Sequence, residues 1–214
     1  MAIPVLIYSP PGHGKSSGMR NFQKQEVGIF NVASKPLPFK NDLDVIKGAT
    51  YATIYQSWER AKAKNTLRKV YVIDDADYLM TFAAFARAKE IGYQKFTDIA
   101  LDFYNLIQYI ITSLPADIIV YILMHTEQTE TGMIKAKTTG KMIDNQLSLE
   151  GLFTIVLYAQ TDGTDHWFTT QSDGYTTVKS PMGMFPARID NDIKAVDTII
   201  RDYYNINTEE KENA

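Results

Sequence analysis

The sequence has no cysteine among its 214 residues. Disulfides, thiolate metal sites and cysteine nucleophiles are thereby excluded, and the composition fits a protein kept in a reducing cytoplasm. Long hydrophobic runs are missing too. Met1–Tyr8 is apolar, but it carries no basic leader and ends at Ser9-Pro-Pro-Gly12, too short for a signal core; Ile118–Met124 is of strand length. Neither approaches the roughly 20 apolar residues of a membrane helix, so no membrane association is expected. Charge of one sign is not in excess either, since 22 Lys and Arg against 25 Asp and Glu leave −3. Such a balance provides no global field for gathering nucleic acid, and any contact of that kind needs a local basic patch. With no repeat, low-complexity tract or linker, one domain is expected over residues 1–204, followed by a polar 205–214 tail expected to be disordered.

What is present alternates between apolar runs of strand length and segments with helical spacing, the pattern of an α/β layer fold. Strands are predicted at Ile3–Tyr8, Val27–Val32, Lys69–Asp74, Asp117–Met124 and Phe153–Ala159. Helices are predicted at Lys15–Gln25, Thr53–Lys64, Tyr93–Leu114 and Asp190–Tyr204. The third of these carries Phe96, Ile99, Phe103, Leu106, Ile107 and Ile110 at three- and four-residue steps, the stripe of a core-facing helix. Ser34–Phe39 holds two prolines and reads as a loop. Turn chemistry at Thr161–Asp165 predicts an antiparallel hairpin, with His166–Thr170 as its second strand at an edge of a mainly parallel sheet.

The first predicted strand runs directly into Ser9-Pro-Pro-Gly-His-Gly-Lys-Ser16. A strand, a glycine-bearing turn and Gly-Lys-Ser form the context of a phosphate-binding loop. Backbone N–H groups must turn inward around the phosphates there, and side chains would block that approach. Ser9 stands where the consensus has glycine. Ser9, Gly12, His13, Gly14, Lys15, Ser16 and Ser17 form the expected cradle. In this reading Lys15 reaches the β- and γ-phosphates, and the Ser16 hydroxyl is a ligand of Mg²⁺. Val70–Ile73 then leads into Asp74-Asp75, a Walker B pattern that sets Asp74 near Mg²⁺, directly or through water, and Asp75 where it can orient the attacking water. Asp77 reads as a helix cap. Leu123-Met-His-Thr-Glu127 ends the fourth predicted strand, and a polar residue leaving a sheet at that end can face the γ-phosphate or the water, which makes His125 the third catalytic candidate beside Lys15 and Asp75.

A phosphate loop on the first strand, one intervening strand, an Asp-Asp strand and a polar-ended strand together resemble the additional-strand P-loop ATPases, which include RecA-like and AAA+ proteins. As a whole the chain resembles short RecA-core ATPases of bacteriophages, several of which serve recombination or single-strand annealing. The resemblance implies a P-loop NTPase with a RecA-like sheet flanked by helices, ATP and Mg²⁺ as cofactors, a homo-oligomer in ring or filament form, and single-stranded DNA as a partner. It also implies an acid after the second strand in many RecA-like enzymes, and Ala33-Ser-Lys-Pro36 supplies none.

Gly132–Lys141 contains Lys135, Lys137 and Lys141 without an acid and is a candidate for touching nucleic-acid phosphates, although no aromatic residue lies between the lysines for base stacking. Lys179 and Arg188 are candidates for a cation acting on a neighbouring subunit's nucleotide. Three functions follow in order: an ATPase acting on DNA, a nucleotide-gated binding or assembly protein with little hydrolysis, and a small-molecule kinase. The last is disfavoured because Arg87 is the single arginine between Asp75 and His125, leaving no arginine-rich lid.

Overall fold

The computed structural model describes residues 1–140 and 148–206. Its centre is set by strands too apolar to face water on either side. These are β1 (Ile3–Ser9), β2 (Val27–Asn31), β4 (Val70–Asp74), β5 (Ile119–Gln128) and β7 (Ile155–Thr161). All five residues of β4 are buried, as are the last six of β1, the pattern of strands covered on both faces. Short strands complete the sheet: β3 (Val45–Lys47), β6 (Ile134–Ala136), β8 (His166–Thr169) and β9 (Arg188–Asp190). The order across it is β3-β2-β4-β5-β1-β7-β8-β9, with β6 paired to β5 off that path. Every pair from β3 to β7 along this order is parallel; β7–β8, β8–β9 and β5–β6 are antiparallel. The protein is therefore α/β, with a mostly parallel mixed sheet and, among the described residues, four α-helices: α1 (Tyr51–Ala63), α2 (Asp77–Ala86), α3 (Gln94–Ser113) and α4 (Ile193–Tyr204).

Alternation along β1 divides the core into two layers. Leu6 and Tyr8 point to the layer that holds Trp58 of α1, Met80 of α2, and Ile99, Phe103 and Ile107 of α3. Val5 and Ile7 point to the other, with Met19, Phe168 of β8, and Ile193, Val196 and Ile200 of α4. Of the stripe predicted on 93–114, Ile99, Phe103, Leu106, Ile107 and Ile110 form the buried face of α3, and Phe96 is half-buried. No helix among the described residues is long and apolar enough to cross a membrane.

Four expectations are corrected. The helix predicted for Lys15–Gln25 is a four-residue 3-10 helix, Ser16–Met19. Two serines and a glycine are poor helix formers, and Gly18 lies so close to Asn191 and Phe168 that an added Cβ would sit 2.9 Å from Asn191 Oδ1. The fourth strand does not stop at Met124 but continues to Gln128, because Thr126, Glu127 and Gln128 pair with Ala136, Lys135 and Ile134 of β6. His125 consequently lies within a strand. The β7–β8 hairpin forms as predicted, but β9 pairs outside it, so the hairpin is not the edge. The last helix, predicted from Asp190, begins at Ile193, because Arg188–Asp190 forms β9 and the Asp192 side chain caps the helix by accepting from the Lys194 and Ala195 N–H groups; Ile193, Val196 and Ile200 are buried, Ile199 is half-buried and Tyr203 is exposed. Beyond Ile206, the predicted tail lies outside the described residues.

Candidate active site

Sheet topology brings the candidates together. β5 lies between β1 and β4, and its register sets His125 opposite Ser9. The C-terminal ends of three parallel strands thus present the loop that follows β1, the acids that follow β4 and the imidazole of β5 side by side, the arrangement in which open α/β sheets bind ligands. A fourth strand end contributes Lys35, carried by the loop after β2.

The loop after β1 takes the conformation that its glycines permit. Gly12 and Gly14 have φ of 83° and 91°, in the left-handed region. At Gly14 space is limiting as well, since a Cβ would lie 2.9 Å from His166 Nδ1 and 3.0 Å from Asn191 Nδ2. Ser9 is fully buried, and its hydroxyl bonds to the Pro10 carbonyl at 2.9 Å. The side chain of His13 leaves Nδ1 without a partner, and its carbonyl lies 3.4 Å from His166 Nδ1. Ser17 contributes its carbonyl to Arg20. Lys15 precedes the 3-10 helix and is buried.

Ser16 Oγ donates to Asp74 Oδ1 at 2.7 Å across 58 residues of sequence. Lys15 Nζ lies 3.3 Å from Asp75 Oδ1 and 3.0 Å from His125 Nε2. Lys35 Nζ holds the other Asp75 oxygen at 2.6 Å and sits 5.6 Å above the Tyr78 ring. His125 Nδ1 is 3.0 and 3.1 Å from the two oxygens of Asp77, and the His125 N–H donates to Asp77 Oδ1 at 3.1 Å. Asp75 itself has φ 58°, a left-handed conformation unfavourable for a residue with a Cβ. It turns the chain abruptly from β4 into α2, whose start is fixed by the Ala76 N–H bonding to the Leu123 carbonyl of β5.

The adjacent acids are driven apart electrostatically. Burial, reinforced by the neighbouring Asp75 charge, holds Asp74 above the usual carboxylate range, although the Ser16 hydroxyl and the two lysines pull the other way. Burial also acts to raise Asp75, but the Lys35 hydrogen bond and the charges of Lys15 and Lys35 outweigh it, and Asp75 falls below its ordinary value.

Asp74 carboxylate and Ser16 hydroxyl form a hard-oxygen pair suited to Mg²⁺, which retains water and phosphate oxygens in its remaining positions. Among the described residues no group of three or more His, Cys, Asp or Glu could hold an ion unaided. The donor set therefore fits a metal brought in with phosphates, not an independent metal centre.

Of the sequence-predicted residues, Lys15, Ser16, Asp74, Asp75 and His125 meet in this cluster, whereas Ser9, Gly12, His13, Gly14 and Ser17 belong to the loop and turn beside it. Two members were not anticipated. Lys35 was set aside as part of a proline-bearing loop, yet its position just beyond the C-terminal end of a parallel strand was the signal available. Asp77, expected as a helix cap, makes no cap: α2 begins after Ala76 without a side-chain cap bond, and the buried Asp77 carboxylate is turned to His125.

The basic stretch after β5 differs from expectation. Lys135 belongs to β6 and pairs with Glu127 across the hairpin at 2.9 Å, so the acid that its own segment lacks is supplied by the partner strand. Lys137 is exposed, and Lys141 lies outside the described residues. Lys179 is exposed, while Arg188, on strand β9, is exposed and stacks 3.7 Å over the Trp167 ring.

No known family model matches the chain, and no curated protein matches it significantly in sequence.

Proposed function

We propose that this protein is a P-loop ATPase of the RecA-like kind, using Mg²⁺ and water to cleave the β–γ phosphoanhydride of ATP, in the service of recombination or single-strand DNA binding or annealing in a bacteriophage-infected cell. The observation that carries the reading is the contact of Ser16 with Asp74 and of Lys15 with Asp75. A hydroxyl and a carboxylate suited to Mg²⁺ meet beside a lysine on a glycine loop. The position of β5 between β1 and β4 gives further support, since it brings His125 between the loop and the acids.

In this reading the loop's backbone N–H groups and Lys15 hold the β- and γ-phosphates, and Ser16 and Asp74 hold the metal. Mg²⁺, when bound, neutralises charge developing on the phosphate oxygens. ATP over GTP, a cytoplasmic setting, a homo-oligomeric ring or filament and contact with single-stranded DNA all come from the resemblance to phage RecA-core ATPases, and they belong to the proposal on that basis. Lys137 remains a candidate for a phosphate contact with DNA, and Lys179 or Arg188 for a cation acting in trans.

A second reading, a nucleotide-gated binding protein with slow turnover, is favoured by one feature. After β2, where a RecA-like enzyme often carries its glutamate, this chain has Lys35, which neutralises Asp75 instead of activating water. Mg²⁺-dependent ATP hydrolysis with and without single-stranded DNA, beside Lys15→Ala, separates the two. Turnover stimulated by DNA and abolished in Lys15→Ala supports the DNA-coupled ATPase. Tight binding without turnover or DNA response supports the gated binder, and absence of nucleotide binding by the unaltered protein overturns both.

A further inference from the structure

The structure assigns Asp77 and His125 as a positioning residue and a general base, a dyad that aims the lone pair of His125 Nε2 at the water attacking the γ-phosphate. This assignment rests on the ATPase reading and adds to it the group that activates water. The residue expected to do so, Asp75, is poorly placed for that task, because Lys35 holds one of its oxygens at 2.6 Å and keeps it charge-paired even when Lys15, on the other oxygen, turns to phosphate. A carboxylate held in that way is a weakened proton acceptor.

Hydrogen-bonding capacity fixes the state of the imidazole. Asp77 is an ionised carboxylate that only accepts, so Nδ1 must carry the proton it shares with Asp77 at 3.0 and 3.1 Å. Lys15 has an ammonium that only donates, so Nε2, 3.0 Å away, must be the acceptor. A doubly protonated ring would set N–H against N–H at Lys15, and the opposite tautomer would face bare Nδ1 with a carboxylate. A single arrangement satisfies both neighbours, and Asp75 Oδ1, the third charged group facing the ring, lies 3.7 Å from Nε2, outside hydrogen-bond reach. The backbone bond from His125 N–H to Asp77 Oδ1 at 3.1 Å and the Tyr78 ring, 5.3 Å from the imidazole, hold the ring in place. Carboxylate, Nδ1–H and an outward Nε2 lone pair reproduce the logic by which an acid orients a histidine base.

In the nucleotide-free protein Lys15 covers Nε2. Phosphate oxygens compete for the Lys15 ammonium, and its departure uncovers the lone pair beside the loop where the γ-phosphate is expected. His125 Nε2 then takes one proton from water, and the water oxygen bonds to the γ-phosphorus. The bond from that phosphorus to the β–γ bridging oxygen breaks, and its electron pair leaves with ADP. The products are ADP and hydrogen phosphate, and the proton on Nε2, balanced meanwhile by Asp77, passes to solvent.

The first test reads the ring itself in nucleotide-free protein. With ¹⁵N-histidine label at about pH 8, and His125→Gln to assign the signals among three histidines, His125 should show a protonated Nδ1 and an unprotonated Nε2. In Asp77→Asn the amide oxygen still accepts from Nδ1–H but more weakly than a carboxylate, and the preference for a protonated Nδ1 should fall toward a mixture of the two tautomers. A protonated Nε2 in the unaltered protein overturns the dyad, whether or not any variant folds. The second test is kinetic: His125→Gln should lower kcat about 100-fold and Asp77→Asn at least tenfold, each with KM for ATP little changed. Nucleotide binding intact with unchanged kcat in His125→Gln overturns the base while leaving the ATPase reading standing. Failure of the unaltered protein to hydrolyse ATP removes the base together with that reading, and the role of Asp77 in orienting the ring is then judged by the ¹⁵N spectrum alone.

Discussion

Asp74 and Asp75 are neighbours in sequence with opposite electrostatic fates, and the difference lies in what each side chain touches. Asp74 meets one hydroxyl in a buried setting; Asp75 meets two ammonium groups. Because burial and the Asp75 charge raise Asp74, its ionised form is a burden on the nucleotide-free fold. Replacing it with an isosteric neutral group should relieve that burden while keeping an acceptor for Ser16. Asp74→Asn is therefore expected to raise the melting temperature without nucleotide by about 2–4 °C, the equivalent of about 1 kcal/mol at this size, and to abolish Mg²⁺-dependent nucleotide binding. Thermal melts by circular dichroism with and without Mg²⁺ and an ATP analogue check both halves, and a lowered melting temperature in the free protein contradicts the argument. At this scale the meeting of Ser16 with Asp74 and of Lys15 with Asp75 was legible because each residue stands in a local motif. Lys35 and Asp77 were not, because their roles depend on which residue of another strand each one meets.

Elements follow from the same division between local pattern and remote contact. The stripe on α3 and the buried run of β4 were readable, since period and length alone decide them. The 3-10 helix after the loop was not, because Gly18 packs within reach of Asn191 and Phe168, far along the chain, and no local pattern shows that contact. Helix α4 docks through a buried polar cluster that hydrophobic spacing does not reveal. Arg201 Nε bonds to Asp197 Oδ2 at 2.6 Å, and its two terminal nitrogens reach the carbonyls of Asp117 and Lys69 at 2.9 Å. Tyr121 of β5 donates to Asp197 at 3.1 Å. Burial raises Asp197, an effect that Arg201 and Tyr121 only partly offset. Arg201→Leu leaves this carboxylate without its cation and should cost about 3–5 kcal/mol at neutral pH. The carboxyl, raised further without its partner, carries a penalty that is present above its folded-state pKa and relieved as pH falls through it. The deficit of Arg201→Leu relative to the unaltered protein should therefore shrink between neutral and mildly acidic pH in urea unfolding. Asp197→Asn combined with Arg201→Leu should be less damaging than the sum of the two single changes. A deficit that grows on acidification contradicts the account.

Across the whole molecule, parallel strands connected by crossovers bring the C-terminal ends of β1, β2, β4 and β5 to one side of the sheet, and the loop, Lys35, the acid pair and His125 follow from that order. Strand order could not be read from the sequence, because period and turn chemistry are blind to which strands lie side by side; the cluster was legible only as separate motifs. Its charges are mutually satisfied in the free protein, with Lys15 and Lys35 on Asp75 and His125 on Asp77. A triphosphate bound at this cluster must displace internal partners, and its binding should register in global stability. At 100 times the dissociation constant, a ligand specific to the folded state adds about 2.7 kcal/mol, so a slowly hydrolysed ATP analogue with Mg²⁺ should raise the melting temperature by about 5–10 °C at this size. Lys15→Ala should abolish the rise. Arg188→Ala should retain it in dilute, unassembled protein, because a cation acting on a neighbouring subunit's nucleotide contributes only once subunits meet. Its effect should appear instead as lost turnover at concentrations that assemble the chain, measured beside sedimentation velocity. Loss of the thermal shift in dilute Arg188→Ala would assign that arginine to its own subunit's site, and unchanged turnover in the assembled variant would remove it from the reaction.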